Sequence, residues 1–238
     1  MKKLFVFLLL FCLIATSLAG CDNTKPLENN QVDDNAVTCG GLGLPKSIAF
    51  RSIDDIINLK NLMDKSDEEI LEYRKGFSWE LYPIYSGEDI KEFFSKMGDV
   101  PFLYLKEDSG YKLSLIEYRI NYGMLYSVFV CDDGHVRFEH YLPDSKASKP
   151  NADEFWENSP LPLAKEKITV LNKPVGFRIF EASKNPAIYR ILGVFEISDL
   201  PVRLILSNNE KKDFNLEAIE ANIVETTINK LIEQNQIK

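Results

Sequence analysis

Five arginines, Arg119, Arg137, Arg178, Arg190 and Arg203, each fall within a stretch patterned like a β-strand, and Glu117, Glu139, Glu181 and Glu196 stand near them. A guanidinium fork matches the geometry of carboxylate and phosphate groups. A sheet face lined by these side chains would therefore suit an anionic ligand. The same residues on a solvated face would form cross-strand ion pairs, each contributing little. Trp79 and Trp156 add aromatic surface. Trp79 sits among Phe77, Tyr82 and Tyr85, a cluster that would either stack on sugar rings or pin helices to a sheet through its large burial energy.

Other chemistries find less support. Cys131, Asp132, Asp133, His135 and His140 are close in sequence, as metal ligands often are. On a strand, however, His135 and His140 are an odd number of residues apart and face opposite ways. Asp132-Asp133-Gly134 is also sufficient as a hairpin turn. We therefore expect no metal site, and His140, on the apolar face, should be a hydrogen-bonded core or rim residue. No Gly-x-Ser-x-Gly elbow occurs, and no signature supports Cys131 as a nucleophile paired with a histidine. The carboxylate pairs Asp54-Asp55 and Glu68-Glu69 fall in first helical turns, where negative charge complements the helix dipole. No catalytic residue is assigned, and no motif requires a cofactor.

The first residues, MKKLFVFLLLFCLIATSLAGC, give an address. Lys2 and Lys3 precede an apolar run from Leu4 to Ala15, too short for a ~30 Å hydrocarbon core, which takes about 20 residues. A positive start, a short apolar stretch and small residues before a cut describe a secretory signal peptide, residues 1–20. Leu18-Ala19-Gly20-Cys21 resembles the lipobox of bacterial lipoproteins. That resemblance implies diacylglyceryl on the sulfur of Cys21, cleavage before it, and a lipid anchor in the outer leaflet of the cytoplasmic membrane. Two acyl chains anchor stably where one is marginal. Asp22 next to the cysteine resembles the signal for retention on the inner membrane in two-membrane bacteria.

Removal of the leader takes the formal charge from −8 to −10, because Lys2 and Lys3 leave with it. An acidic chain without a basic run is unsuited to nucleic acid, whose binding depends on phosphate neutralisation. Of four cysteines, Cys12 leaves with the leader and Cys21 is the lipidation site, so Cys39 and Cys131 remain. Outside the cytosol they can pair, closing a long loop worth on the order of 4 kcal/mol, or stay as two free thiols.

Residues 21–44 comprise the lipidated cysteine and a tether. Its polar part, residues 22–37, has a root-mean-square reach of roughly 20–25 Å. Three glycines in Cys39-Gly40-Gly41-Leu42-Gly43 lack the strand and Lys-Ser/Thr of a phosphate loop.

The elements that must position the arginines come next. In the first half, residues 45–142, Ser52 with Asp55 and Ser66 with Glu69 mark helix starts of capping-box type. Gly76 stops the second of these helices, and a third runs from about Gly87 to Met97. PFLYLK, YKLSLIEYRI, MLYSVFV and HVRFEHYL then read as a four-stranded meander, with a β-bulge between Leu115 and Ile116. A Pro-rich connection, residues 143–164, is expected to be a long loop that Phe155 and Trp156 hold down. In the second half, residues 165–238, four more strands are separated by Pro174, Asn185-Pro186 and Asp199-Leu200-Pro201. One closing helix is expected to run from about Asp213 or Asn215 to the end. The two halves should form one compact domain. Strands and helices kept apart predict an α+β fold, antiparallel β-sheet meanders packed against N-terminal and C-terminal helices.

ITVLNKPVGFRIFEASKNPAIYRILGVFEISDLPVRLIL with LEAIEANIVETTINKLI resembles a small domain recurring in lipoproteins and envelope proteins of Gram-positive bacteria. In that domain, strands with an Asn-x-x-Pro-Val step precede an amphipathic helix opened by a Leu-Glu pair. The resemblance covers about a third of the chain and implies extracytoplasmic residence without a catalytic activity. The expected protein is thus a membrane-anchored lipoprotein that binds a small ligand or an envelope protein. A cell-envelope hydrolase with its site near residues 143–164, or an immunity or accessory protein, is the alternative.

Overall fold

The structure, a computed structural model, describes residues 47–75, 84–184, 187–209 and 214–236. The leader, Cys21, Cys39, the tether, Gly76, Phe77, Trp79, Tyr82, the Asn185-Pro186 step and Asp213 lie outside the described residues. The described residues fall in one unit, Leu44–Lys238.

The chain runs β1 (Ser47–Phe50), α1 (Ile53–Asn61), α2 (Asp67–Lys75), α3 (Gly87–Met97), β2 (Phe102–Leu105), β3 (Lys112–Arg119), β4 (Met124–Cys131) and β5 (Gly134–Tyr141). It continues through α4 (Ala152–Asn158), β6 (Leu163–Val170), β7 (Lys173–Lys184), β8 (Ala187–Ile197), β9 (Leu200–Asn208), α5 (Leu216–Asn222), β10 (Ile223–Thr226) and α6 (Ile228–Gln236). Eight strands form one sheet in the order β1-β3-β4-β5-β9-β8-β7-β6, and β2 with β10 forms a second. Every pairing is antiparallel. The fold is the expected α+β.

Local sequence sets the helix starts. At α1, Asp55 N–H donates to Ser52 Oγ, and the Asp55 carboxylate accepts from Ser52 N–H. Ser66 and Glu69 do the same for α2, and Ser86 and Asp89 for α3. These reciprocal bonds satisfy donors that a helix start leaves without partners.

Register sorts the side chains into two faces. Ile116, Ser127, Phe138, Leu204 and Gly193 stand in one line across five strands. That face carries the core, where Ile56, Ile90, Phe93, Ile219, Ile228 and Ile232 from the helices meet it, all buried. A neighbouring line, Glu117, Tyr126, Glu139, Arg203 and Val194, points the other way. Strand alternation alone requires this division.

Five expectations need correction. Four consecutive strands do not form a meander: β3, β4 and β5 do, but β2 leaves them to pair with β10. Its four residues, Phe102 to Leu105, are all buried, so the segment needs cover on both faces. The closing helix is broken into α5, β10 and α6. Ile223, Val224 and Thr226 are β-branched, stiff at χ1 and better placed on a strand. Lys230 N–H then donates to Thr227 Oγ1, which restarts the helix. The connection 143–164 holds α4, opened by Asn151 accepting from Glu154 N–H, and the start of β6. Pro174 and Pro201 lie inside strands, each paired, with Thr169 and Glu196 respectively. The chain reverses just before them, at Leu171-Asn172 and Ser198-Asp199, where both residues of each pair have positive φ. Two such residues make the tight turn that matches strand twist. Finally, the bulge falls at Ser114, between Leu113 and Leu115. β1 went unread in the sequence, since SIAF has too few residues to show a period.

Polar residues tie the small sheet to the large one. Leu103 N–H donates to His140 Nε2 at 2.9 Å, and Ser127 Oγ donates to Leu103 O at 2.7 Å. His140 is thus the hydrogen-bonded core histidine that strand parity implied.

Candidate functional site

All five arginines project from the face of the large sheet opposite the helical core. Register places Arg119 and Arg137 on β3 and β5, Arg203 on β9, Arg190 on β8 and Arg178 on β7, each in line with residues of that face. This convergence follows from pairing between strands far apart in sequence.

Their surroundings divide them. Arg178 is buried and belongs to the scaffold. Its Nη1 donates to Leu161 O at 2.7 Å, its Nη2 donates to Trp156 O, and its guanidinium lies 5.6 Å from the Trp156 ring. It clamps the end of α4 to the sheet. Trp156, the second tryptophan considered for binding, packs its ring on Gly176, where an added Cβ would stand 2.9 Å from the indole. Phe155 and Ala152 pack on Leu192, Val194 and Ile205. The segment expected to be held down by Phe155 and Trp156 is so held.

The other four arginines are half-exposed, with side chains 35–39% accessible. Arg119 Nε donates to Glu117 at 3.1 Å while its guanidinium stacks 4.3 Å from the Tyr126 ring. Arg190 pairs with Glu181 at 2.5 Å, and its Nε reaches Ser207 Oγ at 3.4 Å. Glu139 is the centre of the group, its side chain only 7% exposed. Arg137 holds one of its oxygens at 2.6 Å, and Arg203 approaches the other at 3.9 Å while lying 5.2 Å from the Tyr141 ring. Burial pushes the Tyr141 phenol up to about 12, so it stays neutral beside the charges.

Within this group three guanidinium ions, on Arg119, Arg137 and Arg203, face two carboxylates, Glu117 and Glu139. The imbalance leaves positive charge over; separately, the buried Nε atoms of Arg137 and of the scaffold residue Arg178 have no hydrogen-bond partner among the described residues. His135 lies on the same face. Burial lowers its pKa, and Arg137 and Arg190 lower it further. The neighbourhood is electropositive although the chain as a whole is acidic.

Compared with known proteins, the chain matches no family model, no curated protein and no solved structure. The assignment of chemistry therefore rests on the geometry alone.

Cys131 carries a free, half-buried thiol whose Sγ lies 3.6 Å from Gly134 O; Cys39, its candidate partner, is outside the described residues. His135 and Cys131 point to opposite faces, as their alternate registers require. Among the described residues no three His, Cys, Asp or Glu side chains are placed to hold a metal ion. No described helix is long and apolar enough to cross a membrane. Sequence reasoning named the arginines but missed Tyr126, Tyr141 and the central place of Glu139. MLYSVFV is apolar on both faces, so only its register with β3 and β5 puts Tyr126 in line with Glu117 and Glu139.

Beside this group lies a groove of about 430 Å³, between residues 148–161 and the sheet. Leu192, Val194 and Phe155 line it, and Arg203 stands where it meets the arginine group.

Proposed function

We propose that the protein is a lipid-anchored, extracytoplasmic binding protein whose exposed sheet face takes an anionic ligand or the acidic surface of an envelope partner. One observation carries the binding part of this reading. Five arginines from five strands share a face, and the four half-exposed ones contact three carboxylates, Glu117, Glu139 and Glu181. A purely structural ion-pair face needs no such excess. Carboxylate or phosphate groups are the natural partners of an unspent guanidinium fork. The lipobox-like Leu18-Ala19-Gly20-Cys21 supports the location, and the polar residues 22–37 suit a tether of roughly 20–25 Å root-mean-square reach.

Two measurements test this reading. Cys21→Ser should release the protein from membranes or leave it unprocessed; a variant found on membranes at the mature size would overturn the anchor. For binding, thermal unfolding is followed in the presence of carboxylate, phosphate and sulfate solutes. At least one class should raise Tm in the wild type, and the rise should be lost in Arg137→Gln. An absence of any rise, or one that persists in the variant, would overturn the binding face.

A further inference from the structure

The groove beside Arg203 combines features that point to a particular ligand. Its lining is partly apolar, with Phe155 from α4 and Leu161 partly exposed over the nearly covered Leu192 and Val194. Arg203 also lines it, its Nη1 3.9 Å from one Glu139 oxygen while Arg137 holds the other at 2.6 Å. The Arg203 guanidinium lies 5.2 Å from the Tyr141 ring and is also hydrogen-bonded to that side chain, which holds it beside the groove. Lys149 also lines the groove, its ammonium donating to Pro143 O at 2.8 Å. Glu154 contributes a carboxylate, so two cations face one anion. Asn158 and Ser159 supply amide and hydroxyl groups along the rim.

We propose that this groove binds the C-terminal end of a peptide, with the terminal carboxylate on the Arg203 fork and an apolar last side chain against Phe155 and Leu161. The proposal rests on the binding face above and narrows its ligand. A bidentate guanidinium–carboxylate pair supplies direction as well as attraction. An apolar lining with a few fixed polar groups is the usual make-up of a ligand cleft, and about 430 Å³ falls within the ~300–1,000 Å³ of such clefts. The rim amide and hydroxyl groups match peptide N–H and C=O groups. A simple alkyl carboxylate would leave them unused.

The test is isothermal titration of the full chain, reconstituted in phosphatidylcholine nanodiscs, with empty nanodiscs subtracted. Three probes are compared: N-acetyl-Gly-Ala-Leu with a free carboxylate, the same peptide as its C-terminal amide, and octanoate. The acid should bind at least tenfold more tightly than the amide and than octanoate. Arg203→Leu should weaken the acid about tenfold and leave the amide unchanged. The acid–amide comparison on the wild type needs no variant and so does not depend on Arg203→Leu folding. Equal affinity for acid and amide, an acid affinity unmoved by Arg203→Leu, or tighter binding of octanoate would each overturn the proposal. A silent peptide titration with anion-dependent Tm shifts retained overturns this inference alone, whereas loss of both overturns the reading beneath it.

Discussion

Both faces of the large sheet carry polar side chains from the same strands, yet the two faces treat them in opposite ways. On the core face, His140 and Ser127 meet the backbone of Leu103, and each hydrogen bond has one donor and one acceptor. On the outer face, one residue along from His140, Glu139 is shared by two arginines at unequal distances. In a dry core an unpaired polar group costs its full desolvation, about 1–3 kcal/mol, so only matched sets persist. On a half-wet face water supplies missing partners, and an excess of donors can be kept for a ligand. The difference separates polar residues that build the fold from polar residues available to bind.

Acid should break the core side of this contrast first, and with the largest effect. Leu103 N–H donates to His140 Nε2, so that nitrogen is unprotonated and Nδ1 carries the hydrogen toward Leu125 O, 3.2 Å away. A second proton would set two donors against each other. Burial lowers the His140 pKa to about 4, against an ordinary 6.5. Because the folded pKa lies below the unfolded one, the stability it supports is complete above pH 6.5 and is lost as pH falls toward 4. The loss is on the order of 3 kcal/mol. Denaturant unfolding from pH 8 to 4 should show it as a difference between the wild type and His140→Phe. The variant should start about 1–3 kcal/mol less stable, because it leaves the Leu103 donor unpaired, and should slope less with pH. Parallel pH profiles would refute the assignment.

Arg178 sharpens the contrast from within the outer face, since it is the one arginine treated as a core residue. It is buried, and its two Nη groups donate to the carbonyls of Trp156 and Leu161, while its Nε is without a partner among the described residues. Hydrogen bonds from a charged group contribute about 1.5–3 kcal/mol, so Arg178→Leu should cost about 2 kcal/mol. Amide exchange across α4 should rise with it, while β3 to β5 remain protected. Unchanged exchange at Phe155 and Trp156 would show that the helix is held by its apolar contacts alone.

Much of this architecture was legible in the sequence where the signal is local. The Ser52–Asp55 and Ser66–Glu69 pairs announced their helices, and strand-like patterning drew β3 to β5 and β7 to β9. The break at Ile223 escaped because the residues around it also keep a helical apolar stripe. Only the partner strand, β2, decides in favour of extension. The binding face was legible only in part. Alternation puts Arg137 and Glu139 on one side of β5, but nothing within β5 says that Arg203 lies directly opposite Glu139. That depends on β5 pairing with β9, some sixty residues on, and long-range register has no local signature.

The smallest expected effect belongs to the pair Arg190–Glu181, and its smallness is what completes the comparison. The two side chains meet at 2.5 Å, closer than Arg137 and Glu139, yet they are 35% and 38% exposed. Among the arginine pairs, distance alone would rank this one first. Exposure reverses the ranking, because water screens the attraction and each long side chain loses freedom in forming the pair. A double-mutant cycle with Arg190→Ala and Glu181→Ala should therefore give a coupling of about 0.2–1 kcal/mol. It should fall further at ~1 M salt, where the Debye length is about 3 Å. Arg190 lies one strand from Arg178, so backbone context hardly differs between them. If the cycle gave a coupling as large as the cost of Arg178→Leu, burial would not be what separates structural arginines from those free to bind.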